Sequence, residues 1–294
     1  MLETGGFGLR ITFHGVRGST PCCSPAVARF GGNTSCVAVE TGAGDSIILD
    51  LGTGLRQLGC SLSGTSPYRG TALVSHLHWD HVQGLPFFAP LLRPGSSLAI
   101  YGPRQEDGRG LEEAFEDFMR PPYFPITLKQ LPAAIGIVEC PMTPFQVGTA
   151  RITAREITHI GATLGYRIEA DGVTIAYLPD HQQPCDGSSW VDPAVLDLCR
   201  NADLIIHDAQ FTNAEFAERS NWGHCTVNYA VEVAIQSGAR QLALFHHDPS
   251  HSDDQIESML EEAALVGRKA GVAVIAASEG LQVDVAPAQY AQAS

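Results

Sequence analysis

The sequence predicts an α/β (α+β) fold in which sheets are covered by helices. Three observations predict it. Ten short apolar runs are bounded by Gly, Pro, Asp or Asn, as strands are. Stretches with helical periodicity stand between some of them. No linker and no residue-level repeat divides the 294 residues, so 1–285 reads as one domain and 286–294 as a loose tail.

The predicted strands of the first half are Leu9–Phe13, Cys36–Glu40, Ser46–Asp50, Thr71–Ser75 and Ser97–Tyr101. Those of the second half are Ala150–Ile157, Leu164–Glu169, Val173–Leu178, Leu204–His207 and Gln241–Phe245. The spacing predicts a helix over Leu111–Met119, with apolar residues at 111, 114, 115 and 118. Val227–Ser237 and Ile256–Val266 follow the same pattern, and Gly238 is a stop signal after the former. Arg120–Pro132 carries four prolines among aromatic residues. The 119–132 segment is too apolar for a bare linker and reads equally as a flap beside a pocket or a packed surface loop.

The chain has 18 Lys and Arg against 32 Asp and Glu, a net charge of −14. A broad nucleic-acid footprint needs a basic patch, and none is visible. The expectation is therefore a small-molecule substrate and no extended nucleic acid. Residues 1–10 lack the apolar core of a signal peptide. No apolar run approaches the ~20 residues of a membrane span. The eight cysteines are scattered without a C-x-x-C pair, so reduced thiols and a cytoplasmic setting are expected.

The strongest local signal is Ser75-His76-Leu77-His78-Trp79-Asp80-His81, directly after an apolar strand. Four of six residues from His76 are potential metal ligands, and imidazole with carboxylate suits zinc, manganese or iron. A loop leaving a strand end can turn several of these side chains toward one point. His159, Asp180 and His246 also stand at the exits of apolar strands. Ligands at several strand ends of one sheet system can converge on one edge.

These landmarks give the chain a resemblance to the metallo-β-lactamase fold superfamily, in the branch of ribonuclease Z and the cyclic phosphodiesterases of the carbon–phosphorus lyase pathway type. His76–His81 matches the signature His-x-His-x-Asp-His. Gly31–Ser35 and Leu49–Gly54 resemble the branch's opening strands. Leu178-Pro179-Asp180 resembles its Gly-Asp-Thr segment, Ile206–Ala209 its His-Glu-Ala segment, Gly223–Thr226 its Gly-His-Ser-Thr segment and Leu244–His246 its final ligand segment.

The resemblance implies a four-layer αβ/βα sandwich with two divalent ions, zinc or manganese, at one sheet edge. It assigns His76, His78 and His159 to one ion and Asp80, His81 and His246 to the other, with Asp180 bridging. Asp208 stands where ribonuclease Z has Glu, and Cys225 where Ser is usual. His247 follows His246 and is the alternative last ligand, with His246 favoured by register. Related enzymes are often dimers, so a homodimer is allowed.

Two such ions lower the pKa of a shared water toward ~7 and neutralise charge on a phosphoryl group. Asp80 is expected to orient that water as well as bind metal. His224 is expected to hydrogen-bond the phosphoryl oxygens or assist the leaving oxygen, with Asp208 fixing its tautomer. The bland alternative for His224 is a residue at the start of a helix capped by Thr226. His207, His14, His181 and His251 read as structural. Asp50 reads as a support for the site's loops. Arg17 reads equally as a phosphate binder or the partner of a carboxylate, and Trp79 as packing rather than stacking. The expected function is a metal-dependent phosphodiesterase acting on a cyclic nucleotide or cyclic phosphate. The alternatives are tRNA 3′ processing and lactone or thioester hydrolysis.

Overall fold

The computed structural model describes residues 8–62 and 64–287. The tail expected over 286–294 lies outside the described residues from 288 onward, as do residues 1–7 of the N-terminal stretch. The strands are β1 (Leu9–Gly15), β2 (Cys36–Glu40), β3 (Ser46–Leu49), β4 (Arg69–Leu73), β5 (Ser97–Gly102), β6 (Ala134–Glu139) and β7 (Phe145–Val147). Then come β8 (Ala150–Glu156), β9 (Leu164–Ala170), β10 (Val173–Leu178), β11 (Leu204–Asp208), β12 (Gln241–Phe245), β13 (Ala273–Ala276) and β14 (Gln282–Val285). The helices are α1 (Gly54–Ser61), α2 (Trp79–Val82), α3 (Leu111–Phe118), α4 (Pro193–Cys199), α5 (Asn213–Arg219), α6 (Val227–Gln236) and α7 (Asp253–Ala270).

Two seven-stranded mixed sheets result, in the orders β14-β1-β2-β3-β4-β5-β6 and β13-β12-β11-β10-β9-β8-β7. Each is antiparallel on one side and parallel on the other: β3 to β6 run parallel, and so do β10 to β13. The central core lies between the sheets, where Ile11, Phe13 and Val37 meet Ile152, Tyr166 and Ile175. The alternation along β1 fits this placement, with Leu9, Ile11 and Phe13 buried and Arg10 exposed. Each outer sheet face has its own cluster. Leu55 of α1 and Phe115 of α3 cover the first sheet, and Val195 of α4, Val231 of α6 and Ala263 of α7 cover the second. The expected helix–sheet–sheet–helix layering is observed.

Local chemistry explains the helix ends. Ser252 and Gln255 form a capping box at the start of α7, and Gly271 closes it in left-handed backbone. Thr226 caps α6 through the Tyr229 amide. No helix among the described residues is long and apolar enough to cross a membrane.

The parallel segments decide where the site lies. The C-terminal ends of β3, β4, β10, β11 and β12 carry the chain out at one edge, and β8, running with β10, ends there too. The sheets are joined at this edge. Tyr166 Oη donates to the Val74 carbonyl at 2.7 Å, and Tyr177 Oη donates to Asp50 at 2.8 Å. The Phe13 and Phe245 rings meet with centroids 6.1 Å apart, just beneath His246. Each such fully buried ring contributes about 1.5–3 kcal/mol.

Candidate metal centre

The His76–His81 segment divides in two. His76 to His78 is extended, and Trp79–Val82 is a single helical turn. The extended part sends His76 and His78 to one side, and the turn presents Asp80 and His81 beside them. Thus the motif makes two half-sites. His76, His78 and His159 gather with Asp180, while Asp80 and His81 gather with His246. Asp180 stands between the two. Its Oδ1 lies 3.0 Å from His81 Nε2 and 3.2 Å from His246 Nε2. Its Oδ2 lies 3.7 Å from His76 Nε2 and 3.5 Å from His159 Nε2. The structure therefore brings all seven residues expected as ligands to one point.

Each inner ring is oriented from behind. His81 Nδ1 pairs with Asp50 at 2.7 Å, His246 Nδ1 with Gln210 Oε1 at 2.9 Å, and His159 Nδ1 with the Gly223 carbonyl at 2.6 Å. His76 Nδ1 lies 3.0 Å from Ser75 Oγ. In all four rings the other nitrogen, Nε2, is turned toward Asp180. A ring held from behind with its other nitrogen facing the acidic cluster is how metal-binding histidines are arranged. His76 Nε2 and Asp180 Oδ1 are buried and have no hydrogen-bond partner, a condition that costs free energy unless another group completes them.

Electrostatics agree with that fit. Burial, reinforced by neighbouring imidazoles, pushes His76 well below the ordinary histidine range, and burial lowers His159. Both rings are therefore neutral, the form that ligates. Burial opposes ionisation of Asp80 and Asp180, yet the surrounding histidines outweigh it and hold both well below the usual carboxylate range. His81 is fully buried, which disfavours its charge, but Asp180, Asp80 and Asp50 together raise its pKa well above normal. Three carboxylates around one imidazole form a negative pocket that a bound cation would neutralise.

His224 and Asp208 form a pair at the same place. His224 Nδ1 lies 2.9 Å from Asp208 Oδ2 and 3.8 Å from Asp180 Oδ2. Burial lowers the His224 pKa, but Asp208, by charge and hydrogen bond, with Asp180 and Asp80, raises it to about 9. Asp208 also accepts from the backbone amides of His181 and Gln210 at 3.1 and 2.9 Å, so it is fixed in place. Thr226 caps α6, as the helix-start reading of this segment expects, and His224 stands beside the cluster.

Other sequence expectations resolve differently. His246 adopts left-handed backbone, φ 57°, which turns its ring inward, whereas His247 Nε2 bonds the Ala277 carbonyl at 2.9 Å away from the cluster. Asp50 is likewise left-handed, φ 58°, and accepts from Ser75 N, Ser75 Oγ and Tyr177 Oη besides holding His81. Strained residues of this kind cost about 1–3 kcal/mol each and concentrate at functional sites. Arg17 is not a phosphate binder. It is wholly buried, donating to the carbonyls of Gly31, Asp248 and His251, with Asp253 only loosely paired at 3.7 Å. Trp79 does not pack; it is 75% exposed. His207 and His181 pair with each other at 3.0 Å, and His251 pairs with Glu215 at 2.7 Å. His14 is partly buried away from these pairs.

Sequence reasoning missed four supports. The Ser19 amide donates to Asp80 Oδ2 at 2.7 Å, and Gln210 orients His246. A Cβ on Gly18 would lie 2.4 Å from the His246 ring, and one on Gly223 would lie 2.5 Å from the His159 ring. Only a residue without a side chain allows these rings their positions.

A model of the beta-lactamase superfamily domain matches residues 47–247. Ribonuclease Z of Natronomonas pharaonis is 25% identical, over 84% of this chain and 89% of that one. Among solved structures, the metallo-beta-lactamase fold protein YhfI of Bacillus subtilis superposes with a TM-score of 0.70 at 20% identity, over 94% of this chain and 98% of that one. The short form of human tRNase Z superposes with a TM-score of 0.66 at 22% identity, over 94% and 99%. These relatives correct one expectation. Extended nucleic acid had been set aside on net charge, yet a ribonuclease Z is similar to this chain in sequence and a structure named for tRNA in fold. Net charge is a whole-chain sum, and it omits the local positive field of cations held at a site. The chain belongs to the beta-lactamase superfamily, in its ribonuclease Z-like branch.

Proposed function

We propose that the chain is a two-metal phosphodiesterase. His76, His78 and His159 would hold one divalent ion, zinc or manganese. Asp80, His81 and His246 would hold the other, with Asp180 facing both groups. When bound, the ions supply an activated water and offset charge on the phosphoryl oxygens. Asp80 orients the attacking water. Asp208 holds His224 through Nδ1, leaving Nε2 to bond a phosphoryl oxygen or to protonate the leaving oxygen. Asp50, Gln210 and the Gly223 carbonyl keep the ligand rings from turning.

The observation that carries this reading is the His224–Asp208 pair at 2.9 Å, set against the buried Asp180 cluster. A thiolate leaves a thioester without such a donor, whereas an alkoxide leaving a phosphodiester, like one leaving a lactone, is helped by it. The test is hydrolysis of bis-p-nitrophenyl phosphate and of 2′,3′- and 3′,5′-cyclic nucleotides with Zn²⁺ or Mn²⁺. We expect turnover, and a loss of kcat on the order of 10²-fold in His224→Ala with metal content retained. Metal-loaded protein that hydrolyses no phosphodiester refutes the reading. A second reading, tRNA 3′ processing, is favoured by the ribonuclease Z relatives, which match this chain along most of their length. Cleavage of a precursor tRNA at its 3′ end decides it.

A further inference from the structure

A cavity of about 700 Å³ opens beside the metal-binding cluster, with His76, Leu77, His78 and Trp79 in its wall. Leu77, His78 and Trp79 also line the cleft that exposes Asp80, Asp180 and His224, so the two spaces share a wall at the site. The size is that of a small-ligand pocket. Its other sides are aromatic: Phe115 and Phe118 of α3, Phe87, and Tyr123 and Phe124 of the proline-rich segment. Phe124 seats that segment by packing edge-on against Phe87, with centroids 5.9 Å apart. Trp79 and Tyr123 are 75% and 78% exposed, so little among the described residues covers their rings.

The charges in this wall narrow the occupant. Arg109 is the only Lys or Arg lining the cavity among the described residues. Its guanidinium is already engaged, with Nε donating to Asp107 at 2.6 Å and Nη1 to Asp117 at 3.2 Å. No free cation therefore waits for a second phosphate. The wall offers apolar rings and neutralised charge, which suits a flat, uncharged π-surface.

We propose that this cavity is a base subsite, taking the nucleobase next to the scissile phosphate, with Trp79 and Tyr123 as its specificity-determining residues. The inference rests on the phosphodiester reading, and it applies equally to a nucleotide and to one residue of an RNA chain. It gives the proline-rich segment a place in substrate recognition.

The test compares two phosphodiesters with one leaving group, thymidine 5′-(p-nitrophenyl phosphate) and methyl p-nitrophenyl phosphate. In each, a water oxygen bonds to phosphorus as the bond to p-nitrophenolate breaks, so the two differ only in the nucleoside, and the ring substitutions separate base from sugar. We expect a KM on the order of tenfold lower for the nucleoside diester, the size of one stacking contact. Tyr123→Ala should remove most of that advantage while leaving the methyl ester unchanged. Equal KM values in the unmodified protein, or an advantage untouched by both Tyr123→Ala and Trp79→Ala, overturn the proposal. A second readout needs no turnover: saturation-transfer NMR on adenosine with metal-free protein. Transfer to the base protons that weakens in Tyr123→Ala and Trp79→Ala supports the subsite even if no phosphodiester is hydrolysed, in which case only the catalytic reading fails. Adenosine signals that ignore both substitutions contradict the subsite itself.

Discussion

Asp80, His81 and His246 are buried to 5% exposure or less; in the other half-site the side chains of His76 and His159 are as buried, whereas His78 is exposed. The supports differ in the same sense. The inner half is held by side chains, Asp50 behind His81 and Gln210 behind His246, and Asp50 and His246 both adopt left-handed backbone. In the outer half, His76 leans on Ser75 Oγ and His159 on the Gly223 carbonyl, while His78 Nδ1 lies 3.3 Å from His159 Nε2 and has no other side-chain partner among the described residues. The difference teaches a division of labour in the proposed centre. In the proposal the inner half is preorganised for tight metal binding, and the outer half, through His78, borders the cavity proposed for the substrate.

The bridging residue should produce the largest effect, because it belongs to both halves. Asp180→Ala should remove both ions and abolish hydrolysis, read as metal content after gel filtration and as rate. Retention of one full equivalent would show that Asp180 serves one half alone. Next in size is Asp50→Ala. Loss of the hold on His81 should weaken the inner ion on the order of 10–100-fold, measured by competition with a chelator. The same change strands Ser75 and Tyr177 and should lower stability by about 1–3 kcal/mol. An unchanged inner affinity would mean that His81 is positioned by packing.

Gly223→Ala tests the outer half. The new Cβ meets His159 at 2.5 Å, and φ is 94°, so the ring must move. The outer ion should weaken while the inner one stays, and weakening of both would break the comparison. The smallest effect concerns His224, which serves both halves. In metal-free protein its pKa should be about 9, above the ordinary 6.5. A histidine raised on folding stabilises the fold fully below pH 6.5, and that stabilisation is lost as pH rises through about 9. Asp208→Asn should lower the His224 value and flatten this pH dependence, read by NMR titration and thermal melts. A His224 that titrates unchanged in Asp208→Asn would put its charge under the control of Asp180 and Asp80.

Much of the centre was legible because the candidate ligands sit at exits of apolar strands, where a parallel sheet gathers its functional groups. The supports were not. Ser19 acts through an amide, Gly18 and Gly223 through the lack of a side chain, and Gln210 through one oxygen, so none has a residue-type signature. Strands β6, β7, β13 and β14 escaped because they lie at the margins of the sheets, and β6 is mostly exposed, with only Ile135 and Ile137 partly buried. Helix α1 was hidden by Gly54 and Gly59, which read as turns although Leu55 and Leu58 are buried. Trp79 was expected to pack, since an apolar ring usually does; its exposure follows from the helical turn that directs Asp80 and His81 inward.

Metal titration by calorimetry tests the unequal two-ion centre most directly. The account predicts two equivalents of Zn²⁺ or Mn²⁺ per chain binding in separate steps. The tighter step should disappear in His81→Ala and the weaker in His78→Ala. A single equivalent, or loss of the same step in both variants, would contradict it.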